Sequence, residues 1–139
     1  MYKKTVRGTG KGSYLKRKEL GLCVYCESPP TVGAVCLLCW FKITAVNHLG
    51  SRKLGPAIQD IWENQEGRCV YTKILLIPGP RVEIGGNASL DHKIPVTKGG
   101  SNDLTNLQWT TDVVNRMKSD LTENEFFKMC ELILQTRPK

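Results

Sequence analysis

A chain of 139 residues holds one compact domain with room for a small accessory module. Its hydrophobic content of 40% is ordinary for a soluble protein, and its longest apolar run, residues 34–41, is far short of the ~20 residues that cross a bilayer. The basic N-terminus lacks the apolar stretch of a secretory signal, so the sequence reads as soluble and intracellular, with no membrane partner. The net charge of +7 is unevenly placed: Lys3, Lys4, Arg7, Lys11, Lys16, Arg17 and Lys18 precede the first acid, Glu19, and the remaining 13 Lys/Arg balance the 13 Asp/Glu. A mobile basic arm of this kind neutralises phosphates and releases counterions, which makes nucleic acid the natural partner. A solubilising tail has the same composition.

In chain order, residues 1–20 form the flexible basic arm, with a short helix expected over 14–20. Residues 21–40 carry the cysteine pairs around Pro29, Pro30 and Gly33, a composition suited to a turn or short hairpin. Trp40, Ile43 and Val46 recur at helical spacing up to Leu49, and Gly50 stops the helix. Pro56 opens a second helix over 56–66 with Ile58, Ile61 and Trp62 on one face. A first strand is expected at 69–72, a loop at 78–88 and a second strand at 88–92. One helical turn follows at 103–106. A helix over 111–118 turns Val113, Val114 and Met117 inward, and a last helix spans 122–135 behind a Thr122…Glu125 capping box.

Four of the six cysteines form two CxxC pairs, Cys23/Cys26 and Cys36/Cys39, with nine residues between the pairs. In an intracellular chain such spacing points to zinc rather than disulfides. Four thiolates close a tetrahedral shell and leave no position for water, so the expected Zn2+ is structural. It stabilises a segment too small to build its own core. Cys69 and Cys130 have no CxxC partner and read as buried free thiols.

The segment Ser89-Leu90-Asp91-His92-Lys93-Ile94-Pro95 is followed by Gly99-Gly100, Asn106-Leu107 and Asn115-Arg116-Met117-Lys118. This order resembles the HNH endonuclease signature. The offsets from His92, 14 residues to Asn106 and 23 to Asn115, resemble the HNH domains of RNA-guided CRISPR nucleases. The tail from Asn115 to Leu121 is similar to stand-alone phage HNH nucleases and homing endonucleases. The likeness covers about residues 56–135.

It implies an α+β fold: a ββα-metal core with flanking helices, here residues 50–139, behind a zinc ribbon and helix at 21–49. Hydrolysis of a phosphodiester needs an activated water and a Lewis acid on the phosphate. Imidazole at His92 is suited to deprotonate water near neutral pH. Asp91 and Asn115 offer hard oxygens to one Mg2+ or Mn2+. By the resemblance, Asn106 holds the loop that orients His92, and Arg116 and Lys118 contact phosphate. Adjacent strand residues point to opposite sides, so a strand end or bend is needed before Asp91 and His92 serve one site.

Many family members carry CxxC pairs around the catalytic core. Here Cys69 stands alone, with Thr72 where a second thiol would be, so packing by Tyr71, Leu90, Leu107, Trp109 and Phe126 must hold the core. The reading that results is a DNA endonuclease in the cytoplasm of a bacterial or phage-infected cell, acting on double-stranded DNA as a monomer that nicks or a homodimer that cuts both strands. The alternative is a non-catalytic zinc-ribbon DNA-binding protein on a degenerate HNH scaffold.

Overall fold

The computed structural model describes residues 11–79 and 85–139, with side chains from residue 13 onward. The described residues divide into two compact units: those up to Gln59 with Pro78 and Gly79, and Asp60–Ile77 with 85–139. No helix among them is long and apolar enough to cross a membrane.

The first unit begins with α1 (Lys11–Glu19), longer than the expected helix at 14–20 and reaching into the segment expected to be flexible. Its last turn carries Lys16, Arg17 and Lys18, where cations complement the helix dipole. It closes in a Schellman arrangement: Leu22 N–H donates to Arg17 O at 2.9 Å and Gly21 N–H to Lys18 O at 3.1 Å, with Gly21 at φ 64°. The cysteine segment follows, turned tightly at Gly33 between the bridged residues Val32 and Val35. Helix α2 (Leu37–Leu49) starts at Cys36, whose sulfur accepts from Cys39 N–H. Its buried face is Cys39, Phe41 and Ala45, while Val46 is exposed. Helix α3 (Gly55–Asn64) buries Ile58 and contains the division between the units.

In the second unit, β1 (Ala88–His92) pairs antiparallel with β2 (Leu107–Thr111), placing Leu90 opposite Trp109, Asp91 opposite Gln108 and His92 opposite Leu107. Helix α4 (Asp112–Lys118) follows β2 directly, capped by Thr111 Oγ1 on Val114 N–H. The element order is therefore strand, strand, helix. Helix α5 (Glu123–Thr136) begins with the Thr122/Glu125 capping box read from the sequence. A two-stranded sheet is marginal alone. This one gains support at Trp109, which is fully buried edge-on to Trp62 at 5.3 Å between ring centroids. The Gln65 amide closes the free edge of β2: its Oε1 accepts from Trp109 N–H at 2.9 Å and its Nε2 donates to Trp109 O at 2.8 Å. Leu90, Leu107 and Phe126 are buried, and Tyr71 meets Phe126 edge-on at 5.5 Å, as the core expectation required.

The first expected strand is in a different place. Residues 69–72 form a turn, and β1 pairs with 107–111 instead. The turn repeats the shape of the first cysteine knuckle. Lys73 N–H donates to Cys69 O with Lys73 at φ 62°, as Glu27 N–H donates to Cys23 O with Glu27 at φ 59°. Cys69-Val70-Tyr71-Thr72 thus folds like Cys23-Val24-Tyr25-Cys26 without the second thiol. The β-forming Val and Tyr are overridden by hydrogen bonds to the cysteine. In α4 the inward positions are Val114 and Lys118, and Met117 is 58% exposed. Cys69 is buried as expected, whereas Cys130 is only half-buried.

Candidate active site and cysteine centre

The four sulfurs of Cys23, Cys26, Cys36 and Cys39 lie within 4.8 Å of one another. Zn–S bonds of about 2.3 Å set the sulfurs of a tetrahedral shell about 3.8 Å apart, so the cluster has the count and spacing of a closed zinc shell. Cys23 and Cys39 are buried, Val35 packs against the group, and Cys26 is exposed. Burial acts to raise the Cys26 thiol, but hydrogen bonds with Ser28, Cys36 and Cys39 outweigh it and bring its pKa to about 6. Burial and the neighbouring thiols raise Cys39, and burial raises Cys36 against the Cys39 N–H that lowers it.

The basic residues fall into three groups. Lys3, Lys4 and Arg7 lie outside the described residues, as does the side chain of Lys11. Lys16 and Lys18 are exposed on α1, and Arg116 is exposed in an i,i+4 pair with Asp112 at 3.2 Å. Arg17 and Lys118 turn inward instead. Arg17 Nη1 donates to Val24 O at 3.2 Å and its Nη2 lies 3.7 Å from Glu27, which clips the end of α1 to the first knuckle. Lys118 is fully buried, with Nζ 3.2 Å from Asp91 Oδ1 and donating to His92 O at 2.8 Å. It presents no charge to a phosphate at the surface.

Asp91 is 5% exposed. Lys118 holds its Oδ1, and Gln108 Nε2 donates to its Oδ2 at 2.8 Å. The same Nε2 donates to Tyr71 OH at 2.6 Å, and Tyr71 OH donates to Glu123 Oε1 at 3.1 Å. Burial, with Glu123 and Asp91 nearby, pushes the Tyr71 phenol up, so it remains a donor at neutral pH. Asn115 Nδ2 donates to Ser89 Oγ at 2.7 Å. Ser89 and Asp91 share one face of β1 at i and i+2, and Asn115 and Lys118 share one face of α4 at i and i+3. These two bonds lay α4 across that face.

His92 is the last residue of β1. Its Nε2 lies 2.8 Å from Asn102 Oδ1. Asn106 closes the intervening loop with three side-chain bonds: Oδ1 accepts from Ile94 N–H at 2.9 Å, and Nδ2 donates to Ile94 O at 3.0 Å and Ser101 O at 2.8 Å. The glycine pair has two separate functions. Gly99 takes φ 83°, and Gly100 lies so close to the Ile94 carbonyl that a Cβ there would sit 1.8 Å from its oxygen.

No family model, curated protein or solved structure matches this chain.

The structure thus gathers Asp91, His92, Asn106 and Asn115 onto one hairpin and its following helix. Sequence reasoning missed Asn102, the Gln108 amide and the inward course of Lys118. Asn102 follows the Gly99-Gly100-Ser101 turn, a loop signal with no chemical signature. Gln108 lies in a strand whose five residues are all buried, so no alternation marks it.

Proposed function

We propose that this protein is a metal-dependent endonuclease of the HNH type, hydrolysing phosphodiesters of DNA with His92 as general base. The observation that carries this reading is a histidine at the end of β1, held by a loop that Asn106 locks, beside an aspartate held by the helix that follows β2. Four clustered thiolates fit a structural Zn2+ that supports the basic N-terminal unit.

The residues also fit a hard divalent cation. Each Asp91 oxygen has one donor and retains a lone pair, and Asn115 uses its Nδ2 on Ser89, which leaves its carbonyl oxygen for a cation. The Gln108 amide that bonds Asp91 also carries Oε1, a buried acceptor without a partner among the described residues. Mg2+ or Mn2+ needs one or two carboxylates, with phosphate and water completing the shell. When bound, the ion supplies Lewis acidity to the phosphate. His92 takes the proton of the attacking water. The water oxygen bonds to phosphorus as the bond to the 3′ oxygen breaks, and that oxygen takes a proton from solvent. Lys118 and Gln108 hold the Asp91 carboxylate in one orientation throughout. The exposed Lys16 and Lys18 on α1 add charge to a DNA-binding surface.

The test is cleavage of supercoiled plasmid with Mg2+, Mn2+ or EDTA, comparing wild type with His92→Ala. Metal-dependent nicking that vanishes in His92→Ala with DNA binding retained is the expected result. The engagement of both Asp91 oxygens favours one second reading, a DNA-binding protein on a non-catalytic scaffold. Tight binding without cleavage in any metal would establish that reading.

A further inference from the structure

We propose that Asn102 is a positioning residue for His92: its side-chain carbonyl fixes the imidazole as the Nε2–H tautomer and leaves Nδ1 as the basic nitrogen. The role in catalysis rests on the nuclease reading; the tautomer does not. An amide oxygen only accepts hydrogen bonds, so the 2.8 Å contact between Asn102 Oδ1 and His92 Nε2 requires the proton on Nε2. Neutral imidazole then has its lone pair on Nδ1.

The contact is exposed, so it competes with water and depends on a fixed loop. The residues on either side of Asn102 supply that fixity. Ser101 O accepts from Asn106 Nδ2 at 2.8 Å, and Asp103 O accepts from Asn106 N–H at 2.8 Å. Ser101 Oγ donates to Asp103 Oδ2 at 2.8 Å and accepts from Asp103 N–H at 3.2 Å. Gly100, packed onto the Ile94 carbonyl, sets the backbone leading into this turn. Asn106 thus acts on His92 through Asn102, holding Ser101 and Asp103 so that the amide between them meets the ring.

The experiment is 15N NMR of the full chain labelled at histidine, with His48→Gln assigning the second of the two histidines. It is read beside steady-state plasmid nicking for wild type, Asn102→Ala and Asn102→Asp. Wild type is expected to show His92 as Nε2–H. Asn102→Ala is expected to show mixed tautomers, with kcat lower by about ten- to a hundredfold and KM for DNA unchanged. Asn102→Asp keeps an acceptor and retains both the tautomer and most of kcat, which separates positioning from mere loop stability. An Nδ1–H signal in wild type, or tautomer populations unaltered in Asn102→Ala, would overturn the proposal. A wild type that holds the Nε2–H form yet cuts nothing supports the Asn102 contact and overturns the nuclease reading.

Discussion

Replacing Lys118 with methionine is expected to destabilise the second unit severely, although the new side chain is close to lysine in length and volume. The lysine is fully buried, and its ammonium lies 3.2 Å from a carboxylate that is itself 5% exposed. At an effective dielectric of about 20, unit charges at that distance attract by about 5 kcal/mol. Removing one member of a buried pair costs about 3–5 kcal/mol, because the survivor is left charged in a poor solvent. Here the survivor is Asp91 with Gln108 as its remaining donor, and the His92 carbonyl also loses its partner. For a domain of 60–100 residues this is a fall in Tm of more than about 12 °C. The assay is urea unfolding in a Trp40→Phe background, so that fluorescence reports Trp62 and Trp109 of the second unit. The double variant Lys118→Met/Asp91→Asn removes both charges and should lose about 1–3 kcal/mol less than the two single losses combined. A Lys118→Met protein within about 0.5 kcal/mol of wild type, the level of an ordinary surface change, would refute the buried pair.

Three further predictions concern the cysteine cluster, the start of α5 and the glycine turn. Cys39→Ser should drop bound zinc from about one equivalent to none and abolish the cooperative transition seen by Trp40, since structural zinc supplies most of the folding energy of such modules; unchanged zinc content by metal analysis would remove the site. Glu125 is held at a pKa of about 2 by Lys98 and by the Thr122 capping bonds, below its ordinary 4.5. Because the folded value is the lower one, the carboxylate stabilises the start of α5 above pH 4.5, and that contribution fades as pH falls towards 2. Lys98→Ala should move the Glu125 carboxyl upward in a 13C titration, whereas an unmoved midpoint would leave the capping bonds as the whole cause. Gly100→Ala places a carbon 1.8 Å from the Ile94 carbonyl oxygen, so the turn must shift, at about 1–3 kcal/mol in chemical denaturation. Wild-type stability there would show that the loop is not held against Ile94.

The legible parts of this protein share a property: their signal lies within a few residues. The CxxC pairs, the Thr122…Glu125 box, the Gly50 stop and the strand at 88–92 are local patterns, and each folds as its pattern directs. The expectations that the structure overturns are those whose deciding contacts residue type and periodicity do not announce. Residues 69–72 have strand composition, but hydrogen bonds to the Cys69 backbone and sulfur bend them into a turn; Thr72, Thr111 and Tyr71 lower the thiol pKa against the effect of burial. The strand at 107–111 is buried at all five positions, so it shows no alternation. Lys118 and Met117 exchanged their expected sides because Asp91, 27 residues earlier, offers the ammonium a partner that composition does not reveal.

That exchange bears on how the site is built. A helix that turned Met117 inward would pack on β1 through apolar contact alone, and apolar contact tolerates sliding. The described α4 instead reaches β1 through Asn115 on Ser89 and Lys118 on Asp91, two directional bonds that admit one register. Behind them, Gln108, Tyr71 and Glu123 continue the chain of bonds to the first turn of α5. The turn of α5 that Glu123 begins is the one Thr122 and Glu125 cap. A buried polar network adds little to stability over well-packed hydrocarbon, but each broken link is costly and so fixes orientation. On the proposed nuclease reading, Asp91 needs its carboxylate fixed more than the helix needs apolar contact, which accounts for a lysine rather than a methionine at the inward position facing Asp91.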